Sequence, residues 1–143
     1  MKAREIMTKY EVWACANTDD CRRAAQLMAE HDIGSIPVLD DQGRLEGIVT
    51  DRDICLRIVA EGRRFETPVL EVMTKPVYAC PPDAELKEIE TLMEEHKVRR
   101  LPVVDAERRL EGFISIGDLA KHLHGLWKEH QLAEVVEAVS TPE

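Results

Sequence analysis

The sequence predicts an α/β (α+β) fold of two β-α-β-β-α repeats with an extra C-terminal helix. The phrase "GRLEGIVTDRDI" at 43–54 returns 65 positions later as "RRLEGFISIGDL". Over a longer stretch, residues 33–54 and 98–119 share 8 identities in 22 positions. Helical and strand periodicities also alternate in the same order in both halves. Chance does not produce such agreement, so the chain is an internal duplication.

Each repeat opens with a short predicted strand, "VWACA" at 12–16 and "VYACP" at 77–81. A helix follows, because apolar residues recur at helical spacing. In the first repeat they are Ala24, Leu27 and Met28, and in the second Leu86, Ile89, Leu92 and Met93.

A hairpin of two strands and a second helix complete each repeat. "SIPVLD" and "RLPVVD" are rich in branched residues and are predicted to be buried strands. The turn "DDQGR" offers Gly43 for a positive φ, whereas "DAERR" lacks a glycine and is expected to turn differently. The second strands are "LEGIVT" and "LEGFIS", and a helix is predicted after each.

The predicted domains are residues 1–62, residues 68–125, and a helical tail at 126–143. Because a unit of about 60 residues rarely supplies a stable core alone, the halves are expected to pack about a pseudo-twofold axis. The tail carries an apolar stripe that is expected to pack on the module or on a partner. The stripe consists of Trp127, Leu132, Val135, Val136 and Val139.

Composition excludes several classes of function. The net charge of −9 argues against a nucleic-acid partner, which would need a basic face. No apolar run approaches the roughly 20 residues that span a membrane, and the first ten residues lack a signal-peptide core. We therefore expect a cytoplasmic protein without a membrane partner. The four cysteines form no Cys-x-x-Cys pair and are expected to be reduced and mostly buried.

The repeated phrase places a hydroxyl residue three positions before an aspartate, at a strand-to-helix junction. The pairs are Thr50 with Asp53 and Ser115 with Asp118. This spacing is typical of a capping box, which alone explains either pair. It also suits a nucleotide, because a helix N-terminus attracts phosphate and a carboxylate one turn later can accept the hydrogen bonds of sugar hydroxyls. The spacing leaves both interpretations open.

A family resemblance favours the nucleotide. Met-Thr occurs near each start ("IMTK" at 6–9, "VMTK" at 72–75), and "IPV" and "LPV" begin equivalent strands. The chain resembles a tandem pair of cystathionine-β-synthase (CBS) domains, a Bateman module, of the stand-alone bacterial type similar to hypoxic-response proteins. The resemblance covers nearly all of residues 1–125. Two matches to Gly-x-x-Thr/Ser-x-x-Asp support it, at Gly47, Thr50 and Asp53 and at Gly112, Ser115 and Asp118.

The resemblance implies a non-catalytic regulatory module, without a catalytic cofactor, that binds adenosine derivatives in two clefts. AMP is expected foremost, with ADP, ATP or S-adenosylmethionine as alternatives. Each cleft would combine the motif of one repeat with strand residues of the other. The first would use Val49, Thr50, Arg52, Asp53, Val77, Tyr78, Val98, Arg99 and Arg100. The second would use Thr8, Val12, Trp13, Ile33, Gly34, Ser35, Ile36, Ile114, Ser115 and Asp118.

The family pattern also assigns roles within the first cleft. Asp53 would hold the ribose and Thr50 the phosphate. Adenine would lie between apolar side chains near Val49, Val77 and Val98 and would contact main-chain amides around Tyr78. The arginines Arg52, Arg99 and Arg100 would pair with phosphates.

The two clefts are not expected to be equivalent. Gly34 and Ser35 stand where the first cleft has Arg99 and Arg100, and Gly117 replaces Arg52. The first cleft should therefore be the better site for a multiply charged phosphate, while the second prefers adenosine or stays empty.

An enzyme, a zinc-binding protein and an interaction scaffold are the alternative classes of function. The sequence does not indicate an enzyme, because it contains neither a nucleophile–base set nor a Gly-rich phosphate loop. A zinc site would use His122 and His124, with His130 beyond, although two residues apart on a helix they face different directions. His31 and His96 are instead expected as helix C-terminal residues. A ligand-free interaction scaffold is the third alternative; a homodimer and an unknown effector protein fit both scaffold and sensor.

Overall fold

The computed structural model describes residues 1–9, 13–75, 78–122 and 126–140. The chain divides into two compact units. The Asp53 unit is Trp13–Val77, and the Asp118 unit joins Met1–Val12 to Tyr78–Glu143. The N-terminal segment of the first repeat therefore belongs to the unit formed by the second repeat. The domain boundaries expected from the sequence stay predictions.

The helices and strands follow the predicted order in the first repeat, after an additional short helix at the N-terminus, and the described part of the second repeat lacks the first predicted strand. They are α1 (Ala3–Ile6), β1 (Cys15–Ala16), α2 (Cys21–His31), β2 (Ser35–Leu39), β3 (Leu45–Thr50), α3 (Asp51–Ile54), α4 (Leu86–His96), β4 (Arg100–Val104), β5 (Leu110–Ser115), α5 (Ile116–His122) and α6 (Leu126–Ser140). A π-helical turn, Cys55–Val59, continues α3, and a 3₁₀ turn covers Val69–Glu71.

The two long repeat helices end alike but begin differently, because the described structure shows a side-chain cap only at the start of α2. The Asp20 side chain caps α2 by accepting a 2.8 Å hydrogen bond from the Arg23 amide. Asp32 and Lys97 end α2 and α4 in the left-handed region, with φ of 51° and 52°. The predicted apolar faces are confirmed: the first is buried in full and the second through Ile89 and Met93, with Leu86 and Leu92 half-buried.

The sheets are small and nearly equivalent. In the Asp53 unit β1 pairs parallel with β2, and β2 pairs antiparallel with β3. In the Asp118 unit β4 and β5 pair antiparallel. Of the strand predicted at 77–81, the described residues form one parallel bridge, between Cys80 and Val103.

The two hairpin turns are alike, so the expectation of a different second turn is wrong. Gly43 and Arg108 both adopt positive φ, 77° and 65°. In each turn an aspartate side chain accepts hydrogen bonds from main-chain amides two and four residues later, at 2.8–2.9 Å, from Asp40 in the first and Asp105 in the second. This Asx network determines the turn, because it supplies the same bonds whether or not a glycine is present.

The tail forms helix α6, as predicted, and packs against α4 and α5. Val135 is fully buried in the core of the Asp118 unit and Val139 packs against that core, whereas Val136 is partly exposed. Trp127 and Leu132 lie outside the side chains that the structure describes. Among the described residues, none of the helices has the length and apolar character needed to cross a bilayer.

Candidate functional site

The two motif aspartates form capping boxes with the preceding hydroxyl residues. Asp53 Oδ2 accepts a 2.9 Å hydrogen bond from the Thr50 amide, and the Asp53 amide donates to Thr50 Oγ1 at 3.0 Å. Asp118 and Ser115 make the same pair of bonds, at 2.9 and 3.1 Å. Asp53 is only 7% exposed and Asp118 only 8%. The capping interpretation is therefore confirmed in both repeats.

Each motif also receives a Met-Thr segment, which we define as residues 6–9 and 72–75. Thr74 exchanges main-chain hydrogen bonds with Ile48 of β3, at 2.8 and 3.2 Å. Thr8 exchanges equivalent bonds with Phe113 of β5, at the same distances. Each segment thus adds one antiparallel bridge to the strand that leads into the motif.

The hydroxyls of these threonines reach the motif carboxylates. Thr74 Oγ1 lies 3.1 and 3.2 Å from the two carboxylate oxygens of Asp53. Thr8 Oγ1 donates to Asp118 Oδ1 at 3.1 Å. Thr8 was among the predicted site residues, whereas Thr74 was missed. The one-residue shift between "IMTK" and "VMTK" hid the equivalence, although the repeated Met-Thr pair was a usable signal.

The motif glycines make room for the Met-Thr segments. A Cβ added to Gly47 would lie 2.5 Å from the Met73 sulfur. At Gly112 it would lie 2.8 Å from the Thr8 carbonyl oxygen and 2.9 Å from the Met7 sulfur. Because real Cβ atoms do not approach so closely, a side chain at Gly112 would press on the Thr8 main chain, whereas one at Gly47 would displace the Met73 side chain. Packing therefore favours glycine at both positions, independently of a ligand, and most strongly at Gly112.

Arg57 is a second residue that sequence reasoning missed. Its guanidinium donates to the carbonyl oxygens of Val72 and Met73, at 2.6 and 3.3 Å, and lies 3.7 Å from Asp53 Oδ1. Arg57 therefore ties the 72–75 segment to the helix that carries Asp53. Its position four residues after Asp53, a usual spacing for helical ion pairs, was the available signal.

The aromatic residues expected near adenine each stack on a histidine of their own unit. The Trp13 and His31 rings lie 3.7 Å apart, and the Tyr78 and His96 rings 3.5 Å apart, both pairs with interplanar angles of 7°. The histidines are the last residues of α2 and α4, as expected. Trp13 and Tyr78 are each 39% exposed, so each stack leaves aromatic surface open to solvent.

The predicted phosphate-pairing arginines occupy different environments. Arg52 and Arg99 are exposed. The Arg100 guanidinium lies 5.0 Å above the Phe113 ring centroid. Desolvation by burial lowers the pKa of Arg100, an effect that the Asp118 carboxylate partly opposes.

The remaining predicted site residues lie on or beside the hairpin strands. Val49, Ile36 and Ile114 are fully buried, and Ile33 and Val98 are half-buried. The Gly34 carbonyl oxygen accepts a 3.0 Å hydrogen bond from the Asp51 amide, and Ser35 pairs with Thr50 across the sheet. Val12 and Val77 lie outside the described residues. Since each predicted cleft draws on residues of both units, the two residue sets stay predictions.

Of the histidines expected for zinc, only the His122 side chain is described, half-buried at the end of α5. His124 and the His130 side chain lie outside the described part of the chain. Within that part, no cluster of three or more histidine, cysteine, aspartate or glutamate side chains is arranged to hold a metal ion.

The capping bonds leave the carboxylates with further capacity. A carboxylate has about four lone-pair sites, whereas each aspartate accepts hydrogen bonds only from its N-cap amide and its threonine among the described residues. The Thr50 and Ser115 hydroxyls accept a bond from an amide and keep their own proton to donate. The same atoms can therefore cap a helix and bind a hydroxylated, anionic ligand.

Comparison with known proteins shows the family. The model of the CBS domain matches residues 3–60 and 69–125. Protein YhcV of Bacillus subtilis is 46% identical over 99 residues, which cover 69% of this chain and 69% of that protein. Hypoxic response protein 1 of Mycobacterium tuberculosis is 38% identical over 141 residues, covering 98% of this chain and 94% of that protein. The chain belongs to the CBS domain family.

Solved structures agree with the fold. The crystal structure of Hypoxic Response Protein I, which carries two coordinated zinc ions, has a TM-score of 0.79 over 87% of this chain and all of that one, at 38% identity. A structure of CBSX2 in complex with AMP has a TM-score of 0.73 at 25% identity and covers 85% of this chain and 94% of that one. The CBS domain pair of MJ0100, in complex with 5′-methylthioadenosine and S-adenosyl-L-methionine, has a TM-score of 0.71 with the same identity and coverage. The predicted family and fold are confirmed.

Proposed function

We propose that this CBS domain pair is a non-catalytic sensor that binds an adenine nucleotide, foremost AMP, and passes the signal to a partner protein by a shift in conformation. The observation that carries the proposal is the matched pair of buried aspartates, each with spare acceptor capacity beside a hydroxyl residue. Two family members of known structure hold AMP or S-adenosyl-L-methionine, which supports an adenosine ligand.

Roles in this proposal follow the chemistry of each group. Asp53 and Asp118 accept hydrogen bonds from ribose hydroxyls. The Thr50 and Ser115 hydroxyls donate to phosphate oxygens at the first turn of the following helices. The exposed guanidiniums of Arg52 and Arg99 supply positive charge. The two predicted residue sets, and the preference of a multiply charged phosphate for the Asp53 set, belong to this proposal.

A homodimer, a cytoplasmic location and an unknown effector are expected alongside this function. Ligand binding would act by a population shift, because a ligand that binds one conformation better than another increases the share of the first. The effector would recognise that change.

A zinc-binding stress-response role is the second candidate. A relative 38% identical to this chain carries two coordinated zinc ions. The chain contains His122, His124 and His130, and imidazole is a common zinc ligand. Metal analysis of untagged protein distinguishes this candidate from the nucleotide sensor.

Thermal shift and calorimetry with AMP, ADP, ATP, S-adenosylmethionine and NAD test the main proposal. A ligand at 100 times its Kd stabilises the folded state by roughly 2.7 kcal/mol, which raises the unfolding midpoint by several degrees for a chain of this size. We expect AMP to produce this shift. Asp53→Asn and Asp118→Asn should each weaken it, since asparagine keeps an acceptor for the cap but loses the charge.

The outcomes separate the two candidates. AMP affinity that is unchanged in both asparagine variants would remove the aspartates from the site. No response to any adenosine derivative, together with stoichiometric bound zinc, would replace the sensor by the zinc protein.

A further inference from the structure

We propose that Thr74 and Thr8 are positioning residues that aim the Asp53 and Asp118 carboxylates at the ribose, and that Arg57 makes Asp53 the more rigidly held of the two. The inference rests on the proposed nucleotide function and assigns part of the recognition to the Met-Thr segments. Thr74 and Arg57 would touch the carboxylate and not the nucleotide, whereas Thr8 would hold Asp118 as a member of the second predicted residue set.

Two donors from separate segments determine the orientation of each carboxylate. A capping bond alone holds one oxygen and leaves the carboxylate free to turn about its terminal torsion, which is broad for aspartate. The Thr74 hydroxyl reaches both oxygens of Asp53, at 3.1 and 3.2 Å, while the Thr50 amide holds Oδ2 at 2.9 Å. With both donors in place, the unused lone pairs point in a defined direction.

Asp118 has the same two kinds of donor. The Thr8 hydroxyl donates to Oδ1 at 3.1 Å and the Ser115 amide to Oδ2 at 2.9 Å. Because the arrangement occurs in both repeats, it belongs to the duplicated design and is not an accident of one loop.

Arg57 distinguishes the two carboxylates. It fixes the carbonyl oxygens of Val72 and Met73, directly before Thr74, and lies 3.7 Å from Asp53 Oδ1. The equivalent position in the second repeat, 65 residues later, is His122. In the described part of the chain, no hydrogen bond joins His122 to the 6–9 segment. Among the described residues, Asp53 thus has a guanidinium at 3.7 Å, whereas Asp118 interacts with Arg100 only over a longer distance.

Preorganisation of this kind strengthens binding, because the site loses less freedom when the ligand arrives. Its effect should be confined to the groups that the carboxylate recognises. Removing the Thr74 hydroxyl should weaken discrimination for the ribose 2′-hydroxyl, whereas a general loss of structure would weaken all nucleotides alike.

The test compares AMP with 2′-deoxy-AMP by calorimetry in an Asp118→Asn background, which leaves Asp53 as the intact carboxylate. In this background we expect AMP to bind about tenfold or more tightly than 2′-deoxy-AMP, because only AMP can donate a hydrogen bond from a 2′-hydroxyl to the charged Asp53 carboxylate. We expect Thr74→Val to reduce the preference below about threefold and Thr74→Ser, which restores the hydroxyl, to recover it. Thr74→Ala also removes the hydroxyl and adds no methyl group in its place, so it serves as a second variant for the same comparison of AMP with 2′-deoxy-AMP if Thr74→Val does not fold.

Controls use the other threonines. Thr91→Val removes a hydroxyl of a half-buried residue that donates within its own helix, to the Lys87 carbonyl at 2.8 Å, and should leave the preference unchanged. Thr8→Val in an Asp53→Asn background should reproduce the loss at Asp118. Arg57→Gln should lower the preference at Asp53 by a smaller factor than Thr74→Val.

Two results would overturn the inference while the sensor function stands: a preference for AMP that survives Thr74→Val and Thr74→Ala, or equal loss of affinity for both nucleotides. If the wild-type protein and the background variants bind neither nucleotide, the proposed function fails and this inference fails with it.

Discussion

At the residue scale, Asp53 and Asp118 meet a structural and a functional demand with the same atoms. Capping satisfies a helix amide, and its loss typically costs about 1 kcal/mol. A buried carboxylate also carries a desolvation cost, which its hydrogen bonds must offset. The threonine and N-cap donors supply those bonds and leave acceptor sites unused. Stability and ligand recognition therefore do not compete at these positions.

Residue spacing predicted part of this arrangement. The hydroxyl–x–x–aspartate pattern correctly indicated the caps, because a capping box depends on three residues of local chain. Thr74 and Arg57 were not found, since their contacts to Asp53 depend on where the 72–75 segment docks. The prediction that the second hairpin turn differs from the first was wrong for another reason. The hydrogen bonds to Asp105 hold Arg108 in the left-handed region, and the absence of a glycine from the sequence did not indicate this.

The turn residues allow a matched experiment on backbone strain. A Cβ at Gly43 would meet nothing within 4 Å, so Gly43→Ala changes only the cost of its φ of 77°. We expect it to lower the free energy of unfolding by about 1 kcal/mol. Arg108→Gly relieves strain at φ 65°, but it adds freedom to the unfolded chain and removes the interactions of the arginine, so a gain of at most about 0.5 kcal/mol is expected. Urea denaturation measures both. A neutral Gly43→Ala would show that the left-handed backbone costs nothing here.

At the element scale, periodicity located helices α2 and α4 and both hairpins, because each buries one regular face. The first strands were less predictable. Among the described residues of these two segments, Cys15–Ala16 forms a strand and the second repeat has a single bridge, at Cys80. The helix predicted from residue 51 does form, but it changes to a π-helical turn at Cys55–Val59. A local sequence pattern carries little information about such a change of hydrogen-bond register.

Helix α4, on which α6 packs, carries a buried charge that the sequence did not indicate. Glu90 of α4 is 3% exposed, and its Oε1 has no hydrogen-bond partner among the described residues. Burial raises the pKa of Glu90 above its ordinary value of 4.5. Lys87 opposes the change, and the nearby carboxylates Glu94 and Glu134 add to it.

A raised pKa means that the folded protein binds a proton more tightly at Glu90 than the unfolded chain does. The contribution of Glu90 to the free energy of unfolding should therefore decline as pH rises from 4.5 through its pKa in the folded state. The side chain in Glu90→Gln cannot titrate. The free energy of unfolding of this variant, relative to the wild type, should therefore increase across this pH window and be about 1 kcal/mol higher at neutral pH. Denaturation at several pH values gives the difference.

The control for this prediction lies on the same helix. Glu95 is exposed, and Glu95→Gln should follow the wild-type pH profile to within about 0.5 kcal/mol. Parallel profiles for Glu90→Gln and the wild type would contradict a titrating, destabilising carboxylate at position 90.

At the scale of the whole molecule, duplication preserved the backbone plan and allowed the side chains around it to diverge. Strand registers, turn networks, capping boxes and aromatic–histidine stacks recur in both units. At equivalent positions of the two repeats, Arg57 corresponds to His122 and Gly34 to Arg99, and these side chains are chemically different. Fold was therefore predictable from the repeat, whereas the ligand preference of each half depends on the diverged residues and was not fixed by the shared pattern.

The four cysteines can report whether the two units open together. Cys55 is exposed, whereas Cys15, Cys21 and Cys80 are buried. Burial raises the pKa of Cys15 to about 11 and of Cys80 to about 12, and it also raises the pKa of Cys21. Because the thiolate is the reactive form, a native protein at neutral pH should be alkylated rapidly at one thiol only. Cys55→Ser should abolish that rapid reaction.

The slow alkylation of the buried cysteines tests whether the two units open cooperatively. Cys15 lies in the core of the Asp53 unit and Cys80 in the core of the Asp118 unit, so each requires its own unit to open. Repeats of about 60 residues have too little buried surface to be strongly stable alone, which favours a single cooperative opening. We therefore expect mass spectrometry of alkylated peptides to give the same labelling rate for Cys15 and Cys80, with the same dependence on denaturant. Labelling of one at least about tenfold faster would mean that its unit opens alone at a free-energy cost about 1.4 kcal/mol lower, and cooperative unfolding of the pair would be excluded.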